Sequence, residues 1–539
     1  VPTAAASVRL ITKNVWTQVE ADDEAVHKLL DTKLKVWIKG VERTWEYKAK
    51  RVDGYEHHYT QRHKFRTGLT LFVFRLLAQQ GYEITVVNEC DRPERNLHPI
   101  DLAGITLRPY QLNAVNMAIE KGRGVIKHGT GGGKTETDAA IVQRLGLPTL
   151  MLVDQAHLAS QTKKRWEQRL GVQVGLLGAG VKDTEQDIVC ATFQSITAGL
   201  AAPERLEKRI ANAQQGLQRA RLHTQRPAAQ KRRDKMLAWL GGFDVLVVDE
   251  GHHLVAATYQ SVADKVPAFY RYVTSATPFK SKGSNNATDN DDPSAVLHVV
   301  GTTGPLLDEM TAGDLVEGGY IVRANIHMKN WRAPRIDPRW KWERDDFDID
   351  DDHYGYYTGR KAKPGRPAVA GLYRTAVVEH KERNAAIVDD IVALIERGKP
   401  ALVFVDKVEH GTNLYAALLT RLDAPRGLVE FIHGKHGVEV RKVFLDALGS
   451  GKLPVLIAST VLDEGVDIPN DIALVFAAGG KAQHRYIQRI GRGQRLAEGK
   501  AVVDVYDYLD THSQTMWRHS QKRRAAYVSD PAGYTVEMT

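Results

Sequence analysis

The sequence predicts an α/β chain: two mostly parallel sheets covered by helices, with a small α+β unit ahead of them. Three observations carry this. The 539 residues favour several domains of ordinary size over one. Short apolar runs alternate with amphipathic helical patterns, as in "ALVFVDKVEHGTNLYAALL" (401–419). At 122–146 a strand, a glycine-rich turn and a helix follow one another, the order of a phosphate-binding unit.

The composition narrows the class. Hydrophobic residues make up 43% of the chain, enough for more than one core, yet no apolar run approaches about 18 residues, so no membrane span is expected. The opening "VPTAAASVRLITKNVW" lacks the basic and apolar regions of a secretory signal. Cys90 and Cys190 are the only cysteines, which excludes a disulfide framework and a cysteine-rich zinc site and suits a reducing compartment. The expected location is therefore cytoplasmic, in a bacterial or phage-infected cell. A net charge of +9 hints at a polyanionic partner.

The first lobe is expected over 101–280. Its strand, Val125 to Lys127, runs into "HGTGGGKTET" (128–137), and the helix behind it should stop at Gly146. Backbone N–H groups of Thr130, Gly131, Gly132 and Gly133 and the helix N-terminus would cradle an anion. Lys134 would reach the outer phosphates of ATP and Thr135 would ligate Mg2+. The usual opening glycine is replaced by His128. Carboxylates are needed nearby, and "FDVLVVDEGHH" (243–253) places Asp249 and Glu250 at the end of an apolar strand, Val245 to Val248. Asp249 suits the magnesium role and Glu250 that of general base toward water. His252 could link this site to its neighbours or be purely structural.

With these motifs in order, the chain resembles the superfamily 2 helicases, which implies two RecA-like lobes, the second expected over 371–539. "LRPYQ" (107–111) resembles the adenine-reading element, with Gln111 and nearby Arg108. A non-glycine residue such as His128 is tolerated in the family's phosphate loop. "LMLVDQAHLASQ" (150–161) and "VCATFQSI" (189–196) resemble strand-contacting elements, which implies DNA contacts for Gln161 and Thr192; "TSATP" (274–278) resembles the element coupling hydrolysis to those contacts. "VLIASTVLDEGVDIPN" (455–470) brings Thr460 as a further DNA contact and Gly465 and Asp467 toward the nucleotide. "QRIGRGQR" (488–495) supplies Gln488, Arg492 and Arg495, arginine being a permanently charged fork suited to a transferring phosphoryl group. ATP is expected between the lobes. The stretches 304–328, 373–405 and 504–527 are similar to the XPB-type and phage UvsW-type branch, whose members usually travel 3′ to 5′.

Three regions lie outside this core. Residues 1–100 form an accessory unit, with 68–87 read as a helix, a turn at Gly81 and a strand. Its stretch 33–66 carries ten Lys/Arg against four Asp/Glu, interleaved with Trp37, Trp45, Tyr55 and Tyr59; this suits a nucleic-acid surface or a solvated basic face. A helical hairpin at 203–240, breaking near Pro227, sits in a window (201–240) with ten basic and three acidic residues; Lys231, Arg232 and Arg233 could grip duplex DNA. Residues 281–370 read as a linker with an acidic loop whose adjacent aspartates favour solvation over metal binding.

The resulting expectation is an ATP-dependent DNA helicase or translocase, needing ATP and Mg2+. It would act as a monomer on branched DNA or single-strand/duplex junctions (forks, R-loop or D-loop structures) in replication, recombination or repair. An RNA helicase, a duplex translocase motor of a restriction or repair assembly, and a clamp with a dead ATPase remain as alternatives. "DEGH" in place of DEAD weighs mildly against RNA, and Lys134, Glu250, Arg492 and Arg495 together weigh against the clamp.

Overall fold

The computed structural model describes residues 7–38, 40–94, 97–213, 217–279, 292–331, 372–423, 427–462, 468, 471–480 and 483–539. It falls into two compact units. The first contains the N-terminal domain and the first lobe, ending at Glu309; the second begins at Met310 and includes the short loop 129–132.

The N-terminal domain is a four-stranded sheet in the order β3-β2-β1-β4, with β1 Ser7–Thr12, β2 Trp16–Ala21, β3 Lys64–Arg66 and β4 Glu83–Asn88. Alternation along β1 buries Val8, Leu10 and Thr12. These face Val26 and Leu30 of α1 (Glu24–Lys33) and Val73 and Leu77 of α2 (Thr70–Gln79) in one core. Asp23 caps α1 by accepting from the Ala25 N–H at 2.9 Å. A separate two-stranded ribbon pairs Lys35–Trp37 with Tyr55–His57.

The first lobe is an eight-stranded sheet, β8-β7-β9-β6-β10-β11-β5-β12. Its strands are β5 Arg123–His128, β6 Thr149–Val153, β7 Gly175–Gly178, β8 Val181–Asp183, β9 Ile188–Thr192, β10 Val245–Asp249, β11 Tyr270–Ser275 and β12 Leu306–Met310. From β7 to β5 every pairing is parallel. Strands such as "TLMLV" are buried throughout and nearly all apolar because helices cover both faces. Neighbours β10, β11 and β5 run the same way, so the phosphate loop, Asp249–Glu250 and "TSATP" all emerge at one sheet edge. The register sets Asp249 beside Thr274 and Ser275 beside Lys127.

The second unit holds a seven-stranded, all-parallel sheet, β15-β16-β14-β17-β18-β13-β19. These are β13 Arg323–Lys329, β14 Ala401–Phe404, β15 Val429–Ile432, β16 Val455–Ala458, β17 Ala473–Phe476, β18 Val502–Tyr508 and β19 Tyr534–Met538.

This corrects the expected boundaries. The span 281–370 is not all linker: β12 edges the first sheet, and β13 lies inside the second, between β18 and β19. The acidic stretch 343–352 and the basic stretch 359–367 lie outside the described residues. The expected hairpin is three helices, α6 Ala202–Asn212, α7 Leu217–His223 and α8 Arg226–Leu240, with Pro227 in the first turn of α8, where a missing N–H costs nothing. A small apolar contact of Leu206, Ile210 and Leu222 holds it. No helix among the described residues is long and apolar enough to cross a membrane.

Candidate nucleotide site

The site is built on β5. Its last residue, His128, is fully buried, and its Nε2 lies 2.6 Å from Asp308 Oδ2 on β12. Asp308 Oδ1 also accepts from Asn113 at 2.8 Å, on α3 (Pro109–Lys121). The unusual first letter of the loop thus anchors the strand end to its edge neighbour.

The turn that follows needs glycine at two points. Gly131 and Gly133 have φ of +86° and +71°, and a Cβ on Gly133 would sit 2.3 Å from Gln111 Nε2. Gln111, expected to read adenine, is buried: its amide donates to the Gly133 carbonyl at 3.3 Å, and its Oε1 accepts from the Arg108 N–H at 2.8 Å. Arg108 itself donates to the Tyr110 hydroxyl. Gly132 N–H closes the turn on the Gly129 carbonyl at 3.0 Å. Lys134 and Thr135 open the next helix, α4 (Lys134–Leu145), which Gly146 ends in the left-handed region. Lys134 Nζ reaches the His128 carbonyl at 3.3 Å, and the Thr135 carbonyl accepts from Trp166 Nε1 at 3.2 Å.

The acid pair lies near Lys134 within the first unit. Asp249 Oδ1 accepts from the Glu250 N–H at 2.9 Å. Burial, then the charge of Glu250, pushes the Asp249 carboxyl up to about 7. Glu250 moves the other way: burial raises it, but His252, the Lys134 charge and the Ser275 hydroxyl outweigh burial and hold it below the usual carboxylate range. Ser275 Oγ donates to Glu250 Oε2 at 2.9 Å, and His252 Nδ1 lies 3.3 Å from the same oxygen. Glu250 has φ of +51°, a left-handed conformation uncommon outside glycine that costs of order 1 kcal/mol or more and recurs at functional sites. Two carboxylates side by side, with Lys134 as the nearby cation, form an all-oxygen donor set that fits a hard divalent ion such as Mg2+.

Sequence reasoning missed two residues beside the acid pair and one buried arginine in the second unit. Ser275 lay inside a quoted motif without an assigned role. Asp138, fully buried on α4, accepts from Thr274 Oγ1 at 2.9 Å, and burial followed by the Asp249 charge raises it well above its ordinary value. In the second unit, fully buried Arg489 reaches Asp406 at 3.4 Å and lies over Phe404. The signal for Asp138 was a polar residue on the apolar face of a helix; that for Arg489 was its place inside a motif read only for its flanking arginines.

Other expected contacts fare unevenly. Thr192 is corrected: it is buried, and its hydroxyl accepts from the Ser195 N–H as a helix cap, so it offers no DNA contact in this conformation. Arg233 donates to Glu204 at 2.6 Å, whereas Arg232 is exposed; Arg226 is likewise tied to Glu207. Gln161 and Thr460 are exposed. Tyr59 is also corrected from surface to core, within hydrogen-bond distance of His27. In the second unit, helix α11 (Gln483–Gly493) carries Gln488 and Arg492, and Arg492 donates to the Leu462 carbonyl at 2.9 Å. Arg495 forms a bridge with Ile321 just beyond. Gly465 and Asp467 lie outside the described residues.

Comparison with known proteins agrees with this geometry. Residues 104–280 match the family described as type III restriction enzyme, res subunit, and residues 383–497 match the helicase conserved C-terminal domain. A DNA 3′-5′ translocase XPB2 of Sulfurisphaera tokodaii is 24% identical over 436 residues, spanning 78% of this chain and 85% of the relative. The ATP-dependent DNA helicase uvsW of Enterobacteria phage T4 is 22% identical over 274 residues, 51% of this chain and 47% of that protein. In fold, the chain is similar to the ATP-dependent Type ISP restriction-modification enzyme LlaBIII bound to DNA, at a TM-score of 0.52 and 14% identity, covering 87% of this chain and 34% of that one. Both helicase domains are present in order, and the acids and lysine of the first gather at one sheet edge: the chain belongs to the superfamily 2 helicases, as an ATP-dependent motor.

Proposed function

We propose that this protein is an ATP-dependent DNA helicase or translocase that remodels branched DNA such as forks and junctions. The observation that carries the enzymatic half is the Ser275–Glu250–Asp249 arrangement opposite Lys134, a competent base beside a cation-holding acid. In this reading Lys134 and the loop amides hold the phosphates, while Thr135 and Asp249 would ligate Mg2+. Bound Mg2+ would neutralise charge on the phosphates. Glu250, kept ionised by its neighbours, takes the proton of the attacking water, and Arg492 and Arg495 neutralise charge on the transferring group.

DNA as substrate is supported by the names of the relatives and by two exposed basic elements. On the N-terminal domain, Trp37, Trp45 and Tyr55 are all exposed, with Arg51 4.3 Å from the Trp45 ring and Lys35 4.6 Å from the Tyr55 ring. Such a surface suits stacking of unpaired bases beside phosphates. The 202–240 insertion presents Lys231, Arg232 and Lys235 to solvent, suited to duplex. One motor carrying both elements fits a substrate that is part single strand and part duplex.

The match of residues 104–280 to a restriction-subunit family favours a second reading, translocation on duplex without strand separation. One experiment distinguishes them: ATPase stimulation by single strands, blunt duplex, closed circular duplex, forks, four-way junctions and matching RNAs. Forks and junctions should stimulate most. Equal stimulation by closed circular duplex would favour the second reading, and stimulation by RNA alone would overturn both.

A further inference from the structure

Away from the nucleotide, three potential metal ligands meet where the N-terminal domain packs on the first lobe. Glu56 and His58 belong to the ribbon strand Tyr55–His57 and the residue after it, while His298 lies on α10 (Pro293–Thr302), about 240 residues later. Donor atoms of all three lie within 4.8 Å of one another. Glu56 Oε1 is 2.8 Å from His298 Nε2, and the rings of His58 and His298 meet edge to face at 4.6 Å. His57, between them in sequence, points elsewhere, to Asp31 and Asp53.

The surroundings resemble a built site rather than a chance cluster. His58 is 3% exposed and His298 4% exposed. Both ring nitrogens of His58 are buried with no hydrogen-bond partner, an arrangement folded proteins rarely tolerate. The remaining atoms of the other two residues are held from behind. His298 Nδ1 lies 3.0 Å from Gln260 Oε1, whose amide donates to Thr302 at 2.5 Å, and Ser294 donates to Glu56 Oε2 at 3.0 Å. This is how outer groups fix ligating imidazoles and carboxylates: one face committed to the protein, the other left for the ion.

We propose that Glu56, His58 and His298 bind one divalent transition-metal ion, zinc by donor chemistry, which clamps the N-terminal domain to the ATP-binding lobe. Two imidazoles and a carboxylate favour zinc and its neighbours over magnesium or calcium. Bonds of about 2.0–2.2 Å place tetrahedral donors about 3.4 Å apart, so no pair would close by more than roughly 1.4 Å and the Glu56–His298 pair, now 2.8 Å apart, would open by about 0.6 Å, both within reach of side-chain rotation. Water would complete the shell, since Glu56 is partly exposed. The Arg66–Asp264 pair, two hydrogen bonds of 2.9 Å, spans the same junction, so the ion would act as a second staple across residues far apart in sequence.

The test uses the full chain with Cys90→Ser to remove an adventitious thiolate, stripped with chelator and titrated with zinc sulfate. Metal per chain is measured by mass spectrometry after gel filtration, together with the thermal midpoint and protease cleavage of the connecting segment 97–107. About one zinc per chain is expected, with a raised midpoint and slower cleavage. All three responses should disappear in His58→Leu and in Glu56→Gln. Because the His58 side chain makes no hydrogen bond, His58→Leu should melt no lower than the metal-free parent. Should that variant fail to fold, Glu56→Gln decides alone. No stoichiometric zinc in the parent, or zinc retained by the variants, would overturn the proposal.

Discussion

Replacing Ser275 with Ala removes one hydroxyl and tests whether the base is held as the structure implies. That hydroxyl donates to Glu250 Oε2 at 2.9 Å and accepts from the Thr277 N–H at 3.1 Å. A hydrogen bond to an ionised group contributes about 1.5–3 kcal/mol, equivalent to about 10- to 150-fold in rate if it is fully expressed in the transition state. The Glu250 side chain is 24% exposed, so water replaces part of the missing bond and the lower end is expected: kcat down about 10- to 30-fold. Binding of ATP should change little, since neither atom belongs to the phosphate loop. Losing the donor also raises the Glu250 carboxyl, because that bond helps hold it low. Steady-state ATPase at saturating DNA, with nucleotide affinity measured separately, reads both turnover and binding. Glu250→Gln should stop turnover by itself, so adding Ser275→Ala to it should cost less than about threefold more. Turnover within twofold of the parent, or a loss confined to KM, would refute the positioning role.

Lys134→Ala should abolish hydrolysis and weaken nucleotide binding; measurable turnover would place the phosphates elsewhere. Arg232→Glu, at an exposed site on α8, should weaken duplex binding and lower the slope of log affinity against log salt by about 0.9 for each phosphate no longer neutralised. Arg233→Glu should do less, because that side chain is already engaged by Glu204; equal effects would argue for a diffuse field. The imidazole of His410 is buried and pushed down to about 3, by burial first and then the Arg383 charge. Its folded value lies below the unfolded 6.5, so its stability contribution is whole above pH 6.5 and is lost as pH falls toward 3, at about 1.4 kcal/mol per pH unit. Thermal midpoints of parent and His410→Gln should converge as pH drops from 7 to 4.5; parallel curves would contradict this.

The sequence by itself determined the motor. The phosphate loop, the acid pair and the arginine motif are contiguous, and their chemistry depends on a few side chains held by local strand–turn–helix geometry. Apolar strands such as Val245–Val248 and helices ending at glycines such as Gly146 were legible for the same reason: periodicity and left-handed caps are local properties. Only tertiary structure decided what depends on pairing between distant segments. Parallel register brought Ser275 to Glu250, the packing of α4 on the sheet brought Asp138 to Thr274, and strand pairing placed β13 within a sheet whose other strands begin some seventy residues later. Burial turned Thr192 into a cap and Tyr59 into core. The packing of α10 against the ribbon set His298 beside Glu56 and His58, a grouping no spacing rule reveals because His298 shares no helix, strand or turn with the other two.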